Sequence, residues 1–167
     1  YKRPMLAKLL EELNKIEGLG WIRIMYAYPT QMTDELLDTI ARLDKVVKYV
    51  DIPLQHSHPE MLKMMNRPSF DYRPMIENIR KRIPEVSIRT AFIVGYPGET
   101  EEHFEHLCEF VRDMKFDRMG VFTYSREKGT PSYNMPNRVG ARVAKQRYKK
   151  LMEMQQGISI EIGRAHV

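Results

Sequence analysis

The chain has 167 residues, 43% hydrophobic and 29% charged, with 27 Lys and Arg against 22 Asp and Glu for a net charge of +5. That composition excludes a disordered tail, and no run approaches the roughly 18 consecutive apolar residues of a transmembrane helix, so a cytoplasmic protein without a membrane partner is expected. One cysteine, Cys108, excludes an intramolecular disulfide and any multi-cysteine metal or cluster site built from this chain alone. The sequence opens at Tyr1, a few residues ahead of a helix, and reads as a piece of something longer.

In chain order, Met5, Leu6, Leu9, Leu10, Leu13 and Ile16 recur at helical spacing until Gly18 and Gly20. Trp21 to Tyr26 reads as a strand stopped by Pro29. Thr33 caps the next helix, with Asp34 and Glu35 favourably placed at its N-terminus and Leu36, Leu37, Ile40 and Leu43 as its buried stripe. Tyr49 to Leu54 is a second strand, and Ser57-His58-Pro59-Glu60 has the form of a capping box opening a short helix through Met65. A helix beginning at Asp71 and Pro74 buries Met75, Ile76, Ile79 and Ile83. Val86 to Val94 is a third strand, running into the turn Gly95-Tyr96-Pro97-Gly98-Glu99-Thr100 and a helix whose stripe is Phe104, Leu107, Cys108, Val111 and Met114. Arg118 to Tyr124 is the fourth strand. A loop containing Gly129, Pro131 and Pro136 follows, then a basic helix over about 141–156.

Repeating strand–helix units with apolar strands indicate a parallel sheet covered by helices. The expected class is α/β, with about four strand–helix units forming an incomplete TIM-like parallel barrel, since a closed one takes roughly 250 residues. A small open α/β domain is the competing architecture. Neither a Rossmann fingerprint nor a P-loop follows any strand.

The strand ends are where such folds host chemistry. Gln55, Arg89 and the Gly95–Glu99 turn form the informative group. Gln55 offers donors and acceptors. Arg89, in an otherwise apolar strand, requires an anionic or carbonyl partner, and Gly95 and Gly98 let backbone approach a flat ligand. The same residues also fit a glycine-containing turn beside a buried salt bridge. Cys108 lies on an apolar stripe and reads as core. His103 and His106 read as exposed helix histidines, and of His56 and His58 only His56 is placed to face a pocket; neither pair has ligands enough for zinc. The cluster Arg138, Arg142, Lys145, Arg147, Lys149 and Lys150 reads as a solvated helix face, and suits an anionic partner such as RNA.

At Asp51-Ile52-Pro53-Leu54-Gln55-His56 and Phe92-Ile93-Val94-Gly95-Tyr96-Pro97-Gly98-Glu99-Thr100 the sequence resembles the methylthiotransferases of the radical S-adenosylmethionine superfamily. Phe122-Thr123-Tyr124-Ser125 with Gly129-Thr130-Pro131 adds a third block in the same order, and the resemblance runs from about Tyr1 to Ser159. His56-Ser57 after Gln55, Arg89-Thr90 in the third strand and Met25-Tyr26-Ala27-Tyr28-Pro29 resemble the branch that methylthiolates an aspartate of a small-subunit ribosomal protein. The alternatives are the sister branch acting on tRNA adenosine and, from charge alone, a non-catalytic basic RNA- or ribosome-binding module.

The resemblance implies S-adenosylmethionine as cosubstrate and two 4Fe–4S clusters in the intact enzyme. One, held by a CxxxCxxC motif expected upstream of Tyr1, cleaves the cosubstrate to a radical that takes hydrogen from the aspartate β-carbon; the other supplies sulfur. It further implies a ribosomal protein or the ribosome as substrate, contact with RNA, a monomer, and inactivity of this piece alone. Residues 1–160 would be the central and C-terminal part of the radical domain, and 161–167, which depart from the family, a non-native tail. By position, the resemblance assigns Gln55, Arg89, Gly95, Pro97, Gly98, Glu99 and Tyr124 to S-adenosylmethionine. No catalytic residue and no metal ligand is assigned within the chain.

Overall fold

The computed structural model describes residues 5–165 of the chain. It divides into two compact units, residues 1–53 with 72–89 and residues 54–71 with 90–167. The expected α/β class is observed: six helices and three strands among the described residues, with strand order β1-β2-β3.

In the first unit, α1 (Leu6–Asn14) packs on α2 (Asp34–Arg42), and α2 on α4 (Arg73–Arg82). Leu10, Leu36, Leu37, Ile40, Ile76 and Ile79 are buried, as their helical spacing requires. Thr33 caps α2 by accepting the Leu36 N–H through its hydroxyl. Arg82 of α4 reaches both Asp34 and Asp38 of α2 across the outer face of that packing. β1 (Tyr49–Asp51) pairs in parallel with Ser87–Arg89 at the start of β2 (Ser87–Val94).

The expected strand over Trp21–Tyr26 is not formed. Ile22 makes one parallel bridge to Val46, and the next ladder bond is the Ala27 N–H to Asp51 O. Tyr26 between them has φ of +57°, a left-handed conformation that ends an extended run. Among the described residues there are therefore three strands, with the isolated Ile22–Val46 bridge standing where the first of four was expected.

In the second unit, α3 (Pro59–Met64), the remainder of β2, α5 (Glu101–Met114), β3 (Arg118–Thr123) and α6 (Ala141–Ala165) surround a core of Leu54, Met61, Phe92, Leu107, Val111 and Leu151. Phe92, Phe110 and Phe116 form an aromatic cluster with ring centroids 5.9–6.2 Å apart, most of the contacts edge-on. α6 packs on both β3 and α5. It extends nine residues beyond the Gln156 expected from sequence, so Glu161–Ala165 of the expected tail continue the helix; His166 and Val167 lie outside the described residues.

β2 alternates strictly: Ile88, Thr90, Phe92 and Val94 are buried, while Ser87, Arg89, Ala91 and Ile93 are half-buried. A parallel strand covered on both faces would be buried throughout. One face of β2 is instead left open, and Arg89 stands on it.

Candidate functional site: the turn after β2 and the cavity beside it

β2 ends at Val94 and delivers the chain into the 95–100 turn. Gly95 and Gly98 take φ of +79° and +86°, the left-handed region that side chains with a Cβ avoid. Gly95 is also required sterically, because a Cβ there would stand 2.6 Å from the Ala144 Cβ of α6. The Gly98 N–H donates to Asn137 O at 2.8 Å.

Glu99 folds back into the turn and is fully buried. Its Oε2 accepts the Gly95 N–H at 2.6 Å and Arg147 Nη1 at 2.7 Å, and the same Nη1 reaches the Glu99 carbonyl at 3.0 Å. His56, likewise fully buried, places Nε2 3.3 Å from Glu99 Oε1. The His56 Nδ1 accepts the backbone N–H groups of Ser57 and His58 at 2.9 and 3.0 Å. That assigns the ring proton to Nε2, where it is donated to Glu99. Burial pushes the Glu99 carboxyl up, but hydrogen bonds from His56, the Gly95 N–H and Arg147 outweigh it and hold the group below the usual carboxylate range. For His56 burial wins over Glu99 and keeps the ring neutral below its ordinary range. The expectation that His56 faces a pocket is thus corrected: it is a buried brace for Glu99.

A second correction concerns the other histidines. His103 is buried and completes a capping box with Thr100, its Nδ1 accepting the Thr100 N–H at 3.2 Å while Nε2 donates toward Glu60 at 3.2 Å. His106 is half-buried with Nδ1 2.9 Å from Ser57 Oγ. The N-cap of α3 is His58 itself, whose Nδ1 accepts the Glu60 N–H. His58, Glu60 and His103 bring three potential ligand atoms within 4.8 Å. Both ring Nδ1 atoms nevertheless accept backbone N–H groups, which leaves the proton on Nε2 and no lone pair there for a metal.

Beside the turn lies a cavity of about 820 Å³, bounded by Gly95, Pro97, residues 121–124 of and just past β3, the 125–140 loop and the first two turns of α6. Its wall includes Tyr124, whose ring stacks edge-on against Tyr96 at 5.1 Å. The Tyr124 hydroxyl is buried and has no hydrogen-bond partner among the described residues. An orphaned buried hydroxyl on a cavity wall is what a polar ligand atom satisfies. Arg126, Arg138 and Lys145 also line this cavity, and reading the sequence assigned none of them to a site.

Of the residues singled out from sequence, Gly95, Pro97 and Tyr124 line the cavity, while Gly98 and Glu99 build the turn. Gln55 has φ of +73°, an uncommon conformation for a residue with a side chain, held by backbone bonds to Ala91 and Ile93. Arg89, in the first unit, finds the anionic partner its position demanded: Nη1 lies 3.0 Å from Oδ2 of the buried Asp51, an attraction that raises its pKa.

The Radical SAM superfamily model matches residues 2–111. This chain belongs to that superfamily. Over its whole length it is 50% identical to a protein of Carboxydothermus hydrogenoformans named ribosomal protein uS12 methylthiotransferase RimO, spanning 39% of that relative. RimO proteins of Synechococcus and Thermoanaerobacter are 51% and 52% identical over 96% of the chain, which spans 33% and 37% of their lengths. Among solved structures, the Escherichia coli coproporphyrinogen III oxidase HemN, described as a radical SAM enzyme, matches with a TM-score of 0.70 and 18% identity, over 92% of this chain and 36% of that one. That likeness shows a shared fold, consistent with part of a radical SAM barrel.

Membership of that superfamily implies S-adenosylmethionine and a 4Fe–4S cluster as cofactors. The residues of this chain do not fit a cluster, which is held by several thiolates. The single Cys108 is buried on α5 and its thiol is pushed up by burial, away from the thiolate a metal needs. They do fit the cosubstrate: the cavity has the size of a cofactor site, apolar walls, a backbone turn and an unsatisfied hydroxyl.

Proposed function

We propose that the chain is part of an enzyme that methylthiolates the β-carbon of an aspartate in the small-subunit ribosomal protein uS12, using S-adenosylmethionine. The observation that carries this reading is identity near 50%, sustained over 95–100% of the chain, to relatives named for that activity. Gly95 and Pro97 provide close backbone for the cosubstrate, and Tyr124 a hydroxyl for a polar atom of it. Glu99 acts through the turn it holds, since Gly95, Arg147 and His56 occupy its oxygens. Gln55 at a strained strand end and Arg89 beside Asp51 are further contacts in this reading. Residues 1–160 belong to the radical domain, residues 161–167 to a non-native tail, and the ligands of two 4Fe–4S clusters to segments outside this chain. The exposed Arg142, Lys149 and Lys150 of α6 suit contact with ribosomal RNA. The enzyme is a cytoplasmic monomer, and no helix among the described residues is long and apolar enough to cross a membrane.

The test is the full-length enzyme, reconstituted anaerobically with iron and sulfide and given reductant, S-adenosylmethionine and either a uS12 peptide or tRNA. A methylthio group on the peptide aspartate, with release of 5′-deoxyadenosine, is expected. Modification of tRNA instead would assign the sister branch, and neither product would refute the reading. In the same assay Arg89→Ala should raise KM for S-adenosylmethionine or slow turnover; unchanged kinetics would remove Arg89 from the site.

A further inference from the structure

We infer that the 820 Å³ cavity holds a carboxylate-binding subsite, anchored by Arg126 and supported by Arg138 and Lys145 on the same lining. The inference rests on the proposed methylthiotransferase reading, in which the side chain to be modified is itself an aspartate.

Three cationic residues line this cavity and no Asp or Glu does. With three exposed cations and no acid on its lining, the cavity favours an anion over a cation. Arg126 is held ready for one. Its guanidinium carbon stands 3.7 Å over the Tyr133 ring, and its Nε donates to Tyr133 O at 2.8 Å. The stack and the Nε bond fix the plane of the fork while leaving its terminal amino groups without an acidic partner among the described residues. A planar guanidinium so oriented matches a carboxylate through two parallel bonds. Arg138 and Lys145 make no hydrogen bond or ion pair among the described residues, so neither is already neutralised.

The buried Tyr124 hydroxyl is an independent indication, since it lacks a partner at the same wall and can donate to an oxygen of the bound group. A carboxylate on a short apolar stem satisfies all of these features, with its oxygens toward the cations and its stem against the apolar wall. Two molecules in the proposed reaction carry such a group: the aspartate of the protein substrate and S-adenosylmethionine.

Binding to the full-length reconstituted enzyme separates them. Fluorescence anisotropy would follow a labelled uS12 peptide carrying either Asp or Asn at the modified position. Equilibrium dialysis would follow S-adenosylmethionine and 5′-methylthioadenosine, which lacks the carboxylate. Arg126→Gln is expected to weaken one carboxylate ligand about tenfold to a hundredfold, and Arg138→Gln and Lys145→Gln less, as supporting charges. Loss of Asp-peptide affinity together with the Asp-over-Asn preference, at unchanged S-adenosylmethionine binding, assigns the subsite to the protein substrate. Loss of S-adenosylmethionine affinity, with 5′-methylthioadenosine unchanged, assigns it to the cosubstrate.

Affinities of the Arg126→Gln enzyme all within about twofold of wild type would overturn the subsite, as would weakened binding confined to an RNA oligonucleotide. If Arg126→Gln, which also breaks the bond to Tyr133 O, fails to fold, Arg138→Gln and Lys145→Gln, which break no hydrogen bond or ion pair, carry the same comparison. Because these are binding measurements, a wild-type enzyme that discriminates Asp from Asn peptide yet modifies neither would break the methylthiotransferase reading and leave the subsite standing.

Discussion

Arg147→Met isolates what the buried network contributes. Methionine keeps most of the apolar stem that passes Phe104, where the guanidinium carbon lies 5.2 Å from the ring, and removes only the charge and its donors. Two charge-assisted bonds to Glu99 disappear, one to the carboxylate and one to the carbonyl. The third, to the largely exposed Glu101, is worth little. Bonds to charged groups net about 1.5–3 kcal/mol each, and breaking a buried ion pair costs about 3–5 kcal/mol. His56 still faces Glu99 and can take up a proton, so the lower end, about 3 kcal/mol, is expected. For a chain of this size that is a fall in Tm of about 6–12 °C.

The sign with pH follows from the two groups. In the wild type Glu99 titrates below its ordinary value, so its contribution is present above the carboxylate range and lost as pH falls through the folded-state pKa. In the variant burial is no longer fully offset. Glu99 then titrates higher, protonates sooner, and loses the penalty of a bare buried charge. The gap between variant and wild type should therefore be widest near pH 7, shrink as pH falls through the raised Glu99 pKa of the variant, and close only once pH passes below the depressed pKa of the wild-type group. Thermal and urea unfolding of both proteins across that range measures it. A loss below about 1 kcal/mol at pH 7, or a gap that does not shrink in acid, would refute the reasoning.

Gly95→Ala should cost about 2–5 kcal/mol, from the left-handed backbone and the 2.6 Å approach to Ala144. Adding Ala144→Gly should recover only the contact part by urea denaturation, and a double variant no better than the single one would argue against the clash. Cys108 should stay unlabelled by iodoacetamide in the folded chain, and the chain alone should show no iron–sulfur absorbance after reconstitution; a charge-transfer band would contradict that. Stoichiometric zinc should leave Tm within about 1 °C, because the capping bonds occupy His58 and His103 Nδ1; a rise of several degrees would mean the caps yield to the metal.

The strand–helix order, the Thr33 and Thr100 caps and the turn after β2 were legible because each depends on local pattern. Arg147 was misread as part of a solvated basic face, although a signal for it existed. Ala144, Arg147, Leu151, Gln155 and Ile158 recur at spacings of three and four, and all five are buried. The charge of Arg147 masks that period. His103 fails in the same way: it lies four residues before Leu107 on the buried side of α5, but the acidic residues around it suggested exposure. The partners themselves were not legible at all, since Arg147 and Glu99 are 48 positions apart, and His56 and Glu99 43. The missing first strand has another cause: the run from Trp21 to Tyr26 has strand composition, but Tyr26 turns left-handed and the ladder holds only at its ends.

The opening of α6 does two jobs from one rigid turn. Ala144 and Arg147 face the 95–99 turn, one setting how close it can approach and the other holding its acid, while Ala144, Lys145 and Tyr148 line the cavity. All four stand on consecutive hydrogen-bonded turns of one helix, whose backbone ladder fixes their relative positions. The position of the turn and the position of the cavity wall are therefore fixed by the same few backbone bonds of α6. It follows that a substitution at Arg147 reaches the ligand through geometry, altering where Gly95 and Pro97 stand relative to Lys145. One at Lys145 acts through charge alone and leaves the turn in place. Stability and binding measured on the two variants should accordingly separate: Arg147 loses both, Lys145 only binding.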